Sequence, residues 1–260
     1  MTILDQIMDH KKVEVEKIQN KVPLKELQSH VRQHPSTNFK SALLQKGFQV
    51  IAEIKRKSPS AGELYSGTDV VSVAQSFEQQ GACAISVLTE TRFFGGSIDF
   101  LEKVKANVSI PVLRKDFIIS PYQIYESFYA GADAVLLIAD LLSNELLDEL
   151  FHLAIELDLA PMVEIHSQKT LLKLDNLPVT VIGVNARNLK TMKTDLGQCA
   201  QMVRSLPEHS VKVAESGIET TDDLHFLSQL GYDAALVGTS LMKSENPGES
   251  LKSLLNGVHS

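Results

Sequence analysis

Two charges two residues apart, Glu53 and Lys55, end the apolar run at the start of QVIAEIKRKSPS (Gln49–Ser60). On a strand they share one face with Ile51, while Val50, Ala52 and Ile54 take the other. Pro59 stops the ladder and restricts Ser58, so an acid and an ammonium stand where strand meets loop. The arrangement recurs along the chain in Leu113-Arg114-Lys115-Asp116, in Glu164 two residues after Met162, in Gly183-Val184-Asn185-Ala186-Arg187, and in Ala214-Glu215-Ser216-Gly217. Period-two counting aligns Lys115 with Leu113, Glu164 with Met162, Asn185 with Gly183, and Glu215 with Val213. Taken singly, each polar group is an ordinary charge on a solvated rim. Together, on five strands, they argue for a built site, because charges are rarely buried unless paired. Two lysines and three glutamates over one mouth would shift one another's pKa values and supply both acid and base.

Two further turns suit an anion. Ser216-Gly217-Ile218 and Gly238-Thr239-Ser240 offer small residues, backbone N–H groups and hydroxyls, with Ser58 and Ser60 in reach from the first loop. Such residues are also common in turns, so the phosphate site is an expectation. His166 follows Glu164, but no second His or Cys stands at metal spacing. It reads as a strand-edge residue, and no metal site is expected. Lys55-Arg56-Lys57 is too short for a nucleic-acid patch, and neither a Ser-His-Asp order nor a G-x-S-x-G turn suggests a hydrolase.

The elements that must hold these groups alternate regularly from Gln49 onward. Eight short apolar runs (50–54, 84–88, 111–113, 134–138, 161–165, 179–184, 211–214 and 234–237) are separated and followed by eight stretches of helical periodicity. Gly81-Ala82-Cys83-Ala84, Gly131-Ala132-Asp133-Ala134 and Gly231-Tyr232-Asp233-Ala234 repeat one phrase, a glycine fit for a helix C-cap leading into a strand. The α/β pattern predicts a (β/α)8 TIM barrel over 49–260, with strand ends carrying the chemistry. An open doubly wound sheet is the alternative, weakened by the lack of a G-x-G-x-x-G turn in the first loop. Residues 1–48 read as an N-terminal helical extension packed on the barrel, one structural domain with it.

The chain has 260 residues, 43% hydrophobic and 22% charged, with a formal net charge of −7. That balance excludes a nucleic-acid binder dependent on a basic stripe. Cys83 and Cys199 are too few for a disulfide framework, which suits a reducing cytoplasm. The first twenty residues form an amphipathic pattern rather than a signal peptide, and no apolar stretch approaches the roughly 18 residues of a membrane span. The expected partner is a small molecule, with neither nucleic acid nor membrane, and the expected state is a monomer.

The motifs resemble the indole-3-glycerol-phosphate synthase family of tryptophan biosynthesis. The phrases are IAEIKRKSPS (51–60), SVLTETRFFGGS (86–97), VLRKDFIISPYQIYES (112–127), GADAVLLI (131–138), VEIH (163–166), IGVNARNL (182–189), AESGI (214–218) and LVGTSLM (236–242). They run in order over nearly the whole chain. The resemblance implies ring closure of 1-(2-carboxyphenylamino)-1-deoxyribulose 5-phosphate to indole-3-glycerol phosphate, with loss of CO2 and water and with no cofactor or metal. It further implies that Lys115 protonates the sugar carbonyl and that Lys55 holds the substrate carboxylate and joins the later steps. Glu164 would be the partner acid/base in dehydration. Glu53, Asn185 and Glu215 would orient these groups and bind substrate hydroxyls. Arg187 and Ser216 would bind substrate, Phe94, Phe117 and Leu136 would wall its ring, and Ser58, Gly217, Gly238, Thr239 and Ser240 would hold its phosphate.

Ala186 stands where the family often has Asn, and by parity it points away from Asn185. The loop Gly62–Asp69 is less like the family's. Two alternatives remain: another sugar-phosphate barrel such as phosphoribosylanthranilate isomerase, which needs a Cys and Asp pair that Cys83 and Cys199 are not placed to supply, or a non-catalytic phosphometabolite-binding barrel, which would tolerate erosion at Lys55, Lys115 or Glu164.

Overall fold

Eight parallel strands close on themselves in the computed structural model, which describes residues 2–30, 32, 34–59, 61–65, 69–188 and 193–257. They are β1 (Gln49–Ile54), β2 (Ala84–Leu88), β3 (Val112–Lys115), β4 (Ala134–Ile138), β5 (Ala160–Ile165), β6 (Val181–Asn185), β7 (Val211–Glu215) and β8 (Ala234–Val237). Each pairs with its neighbour in sequence, and β8 returns to β1, which excludes the open sheet. The (β/α)8 barrel is therefore the fold. Five strands move at one or both limits from the sequence expectation: β1 begins at Gln49 and β5 at Ala160, β3 spans Val112–Lys115, with Lys115 in register with Leu88, β6 spans Val181–Asn185, and β7 includes Glu215.

Helices α1 (Ile3–Lys21), α2 (Leu24–Leu27) and α3 (Phe39–Leu43) precede the barrel, and α4 (Val70–Gln79) through α7 (Asn144–Glu156) follow β1 to β4 in turn. After β5 and β6 the helices are shorter than their periodicity suggests. There α8 (Gln168–Leu171) and α9 (Gly197–Met202) each tighten into a 3-10 turn. Then come α10 (Thr221–Leu230), a four-residue α11 (Thr239–Met242) unforeseen in the sequence, and α12 (Pro247–Asn256). The third helix starts at Phe39 because Asn38 is its cap: Asn38 Oδ1 accepts the Ser41 N–H. The three repeated glycines are left-handed, with φ of 97°, 87° and 93° at Gly81, Gly131 and Gly231. In each case the next residue's N–H reaches back into the last helical turn, Ala82 to Phe77, Ala132 to Ser127 and Tyr232 to Leu227. The glycine is required there because this chain reversal needs positive φ.

Alternation along the strands divides the apolar residues between two layers. Ile51, Leu113, Leu136, Met162, Val213 and Leu236 fill the barrel, while Phe77, Leu101, Ile124, Phe151 and Leu251 pack between strands and helices. The N-terminal helices touch both ends. Phe39 and Leu43 of α3 join the inner cluster beside Ala84 and Ala134, at the strand starts. Helix α1 lies at the opposite mouth. It is capped by Thr2, whose Oγ1 accepts the Asp5 N–H, and it buries Ile7, Lys11 and Val15 along one face. Lys11 Nζ reaches Asp116 Oδ1 at 2.8 Å, beyond the end of β3, and Thr91 Oγ1, after β2, donates to Glu14 at 2.8 Å.

Candidate active site

Lys115, at the end of β3, turns inward and meets two carboxylates from strands that do not touch its own. Its Nζ is 3.2 Å from Glu164 Oε2 on β5 and also contacts Glu215 Oε2 on β7. Lys55 and Glu53 at the end of β1 form their own pair at 2.6 Å. Asn185, in register with Glu215, donates from Nδ2 to Glu164 Oε1 at 3.1 Å, and its Oδ1 accepts the Arg187 N–H at 2.9 Å. Glu53, Glu164 and Glu215 are nearly or fully buried. The period-two alignment of charges with inward apolar residues thus becomes a single polar floor.

Glycine makes the space for two of these acids. A methyl group on Gly183 would strike the Glu215 carboxylate and come 2.8 Å from Met162 Cε. One on Gly238 would strike the Glu53 carboxylate and come 2.9 Å from Glu53 Cβ. A glycine inside or at the end of a strand marks this kind of close approach.

The two carboxylates that contact Lys115, Glu164 and Glu215, do not ionise alike. Burial works to lower the Lys115 pKa, but the charges of Glu215, Glu164 and Glu53 outweigh it and hold the lysine above its usual range. Glu215 is pushed up to about 8, first by burial and then by Glu164 and Glu53, against the pull of Lys115. Glu164 is buried too, yet Lys115, His166 and the Asn185 hydrogen bond bring it below the ordinary carboxylate value. The two acids are thus pushed in opposite directions, Glu164 toward its charged form and Glu215 toward its protonated one.

The floor belongs to a cavity of about 240 Å3. Strand order fixes what stands on each side. From β2, β3 and β4 come Phe94, Phe117 and Leu136, with the two rings 6.1 Å apart and tilted by 40°. From β7, β8 and β1 come Ser216, Gly217, Gly238, Thr239, Ser240 and Ser58. Ser216 and Gly217 are both left-handed (φ 70° and 75°), and Ser240 Oγ donates to the Ile218 carbonyl at 3.0 Å, tying the two loops. Thr239 and Ser240 open α11, where N–H groups have no partner within the helix. The mouth thus has an apolar side, a charged floor and a side rich in hydroxyls and N–H groups.

Supporting residues hold the apolar side. Buried Glu90 accepts the N–H groups of Arg92, Phe93 and Phe94 at 3.1, 2.6 and 2.9 Å, folding the turn that presents Phe94. Asp116 accepts from Thr89, Arg114, Lys11 and the Phe117 N–H, and those cations, against its burial, hold it down to about 2. His10, Glu14 and Glu90 gather where α1 meets this turn. Glu90 is taken up by backbone N–H groups and Glu14 by Lys11 and Thr91, so the cluster serves helix docking.

Every predicted site residue lines the cavity: Glu53, Lys55, Ser58, Phe94, Lys115, Phe117, Leu136, Glu164, Asn185, Arg187, Glu215, Ser216, Gly217, Gly238, Thr239 and Ser240. Ser60 and part of the loop Gly62–Asp69 lie outside the described residues. Ala186 packs in the outer layer, away from Asn185, as its parity requires. Three features were missed. Ile3, Leu4 and Ile7 of α1 also line the cavity, although their spacing announces only an amphipathic helix. Gly183 makes room for Glu215, a role its position inside a strand could have signalled. His166 is no solvated edge: its side chain is 10% exposed, 3.3 Å from Glu164 Oε1 and 3.0 Å from Asp140 Oδ2.

Residues 4–254 match the family described as Indole-3-glycerol phosphate synthase. A relative of that name in Streptomyces coelicolor, Indole-3-glycerol phosphate synthase 1, is 41% identical over 98% of this chain and 95% of its own length. The Thermoanaerobacter pseudethanolicus Indole-3-glycerol phosphate synthase is 41% identical over 93% of this chain and 92% of its own. Among solved structures, 3-hexulose-6-phosphate synthase from Salmonella typhimurium superposes with a TM-score of 0.66 over 82% of this chain and 99% of its own, at 13% identity. At that identity the likeness concerns the barrel alone.

Proposed function

The chain belongs to the indole-3-glycerol phosphate synthase family, and from that premise we propose how its residues divide the family's reaction. The enzyme is a carbon–carbon lyase of tryptophan biosynthesis that acts on a small phosphorylated substrate. The reaction closes the indole ring of 1-(2-carboxyphenylamino)-1-deoxyribulose 5-phosphate and releases CO2 and water. The observation that carries the assignment is the Lys115 ammonium among Glu164, Glu215 and Glu53, with an apolar wall on one side and hydroxyls on the other.

Strand order orients the substrate. Its phosphate lies among Ser58, Gly217, Gly238, Thr239 and Ser240, and its ring between Phe94, Phe117 and Leu136. The sugar then spans the charged floor. Lys115 protonates the sugar carbonyl as the ring carbon attacks it. A lysine with a raised pKa is a weak acid, but the alkoxide forming on that oxygen is a stronger base, so transfer runs downhill. Lys55 holds the substrate carboxylate out of the ring plane. When CO2 leaves, its bonding electrons return to the ring and restore aromaticity. Dehydration then needs an acid at the hydroxyl and a base at the neighbouring C–H, and Glu164 serves as partner acid/base here with Lys55. Glu53, Asn185 and Glu215 orient these groups, while Arg187 and Ser216 bind the substrate.

Substrate and products balance without an electron carrier, so no cofactor or metal is assigned. Within one structural domain, residues 1–48 are an extension and 49–260 the catalytic barrel. The reading is completed by a monomer in the cytoplasm, where Cys83 and Cys199 stay as thiols, with neither nucleic acid nor membrane as partner. No helix among the described residues is long and apolar enough to cross a membrane. The test is indole fluorescence on adding the carboxyphenylamino sugar phosphate. A signal that disappears in Lys115→Ala supports the reading. A signal undiminished in that variant overturns the assignment of the acid.

A further inference from the structure

Glu164 and Glu215 contact the same ammonium, yet their other contacts differ. Glu164 Oε2 has Lys115, and its Oε1 accepts from Asn185 and lies 3.3 Å from His166 Nε2. Glu215 Oε1 is buried without a hydrogen-bond partner. The other nitrogen of His166, Nδ1, is 3.0 Å from Asp140 Oδ2, which also accepts the His166 backbone N–H at 3.1 Å. Asp140 is itself held from behind, since Thr170 Oγ1 donates to its Oδ1 at 2.6 Å.

The ring therefore stands with a carboxylate oxygen at each nitrogen. A neutral imidazole has one N–H and one lone pair, so one nitrogen would face an anion with its lone pair. An imidazolium carries N–H on both: Nδ1 bonds Asp140, while Nε2, buried and without a hydrogen bond of its own, faces the Glu164 carboxylate as an ion pair at 3.3 Å. The charged groups facing His166 agree in sign: Asp140 from the turn after β4, Glu164 from its own strand, and Glu215 from β7. Lys115 lies beyond Glu164, and the neighbours Asn185 and Gln198 are neutral, with Gln198 donating to the His166 carbonyl at 2.6 Å. Burial opposes the charged ring, but the two carboxylates outweigh it and raise the His166 pKa.

We infer that His166 is a positioning residue, held as an imidazolium between Asp140 and Glu164, which fixes Glu164 as an ionised partner of Lys115. This rests on reading Glu164 as an acid/base group of the ring closure. It gives a cause for the opposite pull on two glutamates that share one lysine, and it enlarges the working unit to Asp140, His166, Glu164, Lys115 and Glu215.

The experiment has two arms on the full-length enzyme. Nitrogen-15 NMR of wild-type protein labelled at histidine follows the His166 ring through a pH titration. The expected result is both ring nitrogens protonated at pH 7, with a midpoint above the ordinary value of about 6.5. A ring already neutral at pH 6 overturns the inference, whatever the variants do. In the second arm kcat and KM are measured against pH for His166→Gln and Asp140→Asn. Without the cationic neighbour, the acid limb of kcat moves up by about one pH unit while KM changes little. A kcat lowered equally at every pH, with the limb in place, makes His166 merely structural and also overturns it. Glu164→Gln separates the two readings. If that variant keeps full turnover, the role of Glu164 falls and takes the inference with it. If it is inactive and the limb still does not move in His166→Gln, only the inference fails. Should His166→Gln fold poorly, Asp140→Asn and the NMR midpoint decide.

Discussion

Lys115 on β3 and Glu164 on β5 meet at 3.2 Å across β4, which lies between them and contributes only apolar inward residues there, Leu136 and Ile138. A pair that skips a strand is set by the barrel's curvature rather than by neighbouring register. It forms because both side chains end their strands at the same mouth. The gap over β4 lets Leu136 line the cavity.

Lys115→Ala is expected to remove turnover while leaving binding largely intact. The proposed phosphate contacts come from other strands and the proposed ring contacts from other side chains, so the substrate dissociation constant should stay within about tenfold of wild type. A positioned general acid contributes on the order of 10²–10⁴ in rate. Activity within about tenfold of wild type, only ~1.4 kcal/mol in barrier, would remove Lys115 as the essential acid.

Gly183→Ala tests whether the room under Glu215 matters. In an ordinary strand this exchange is favourable or neutral. Here the added methyl meets the Glu215 carboxylate and Met162 Cε. We expect a stability loss of about 1–3 kcal/mol from overpacking. We also expect kcat to fall by roughly 10²-fold as Glu215 is displaced from Lys115. Chemical denaturation and steady-state kinetics check both. Wild-type values on each would show that the acid moves aside without cost.

The strands and their charged ends were legible because period two is a strict rule, and a Glu or Lys continuing an apolar face stands out. The side of the cavity rich in hydroxyls and N–H groups was legible in the small residues after β7 and β8. His166 was not legible, since its meaning depends on Asp140, which reaches it from the turn after a different strand and carries no spacing signature. The cavity-lining role of Ile3, Leu4 and Ile7 was hidden too. An amphipathic helix declares that one face is buried, not that the face covers a site. The four-residue α11 was too short for any period to register.

Glu215→Gln should change how stability depends on pH. In the folded protein this carboxyl is held up to about 8, against an ordinary value of 4.5. Between those limits the native state binds more protons than the unfolded chain, so this group's contribution is full below 4.5 and is lost as pH rises through about 8. Gln cannot ionise and keeps that region level. The variant's melting temperature should therefore gain on wild type as pH rises from 5 to 8.5, while its kcat drops. Parallel melting curves for the two proteins across this range would refute the raised carboxyl.

Lys11→Ala probes the link between α1 and the catalytic strand. The lysine is 2% exposed and joins Asp116 Oδ1 at 2.8 Å to Glu14 Oε2 at 2.5 Å. Removing one partner of a buried ion pair strands the other, at a cost of about 3 kcal/mol. Asp116 keeps Arg114 and Thr89 but loses one of the cations that hold it down to about 2. In wild type its contribution is present above the ordinary aspartate value of 3.8 and lost as pH falls through about 2. In the variant that loss should begin at higher pH, moving acid unfolding, followed by circular dichroism, toward neutrality. Because α1 also brings Ile3, Leu4 and Ile7 to the cavity, KM should rise more than kcat falls. A variant with unaltered stability and unaltered KM would mean that α1 is seated by its apolar face alone.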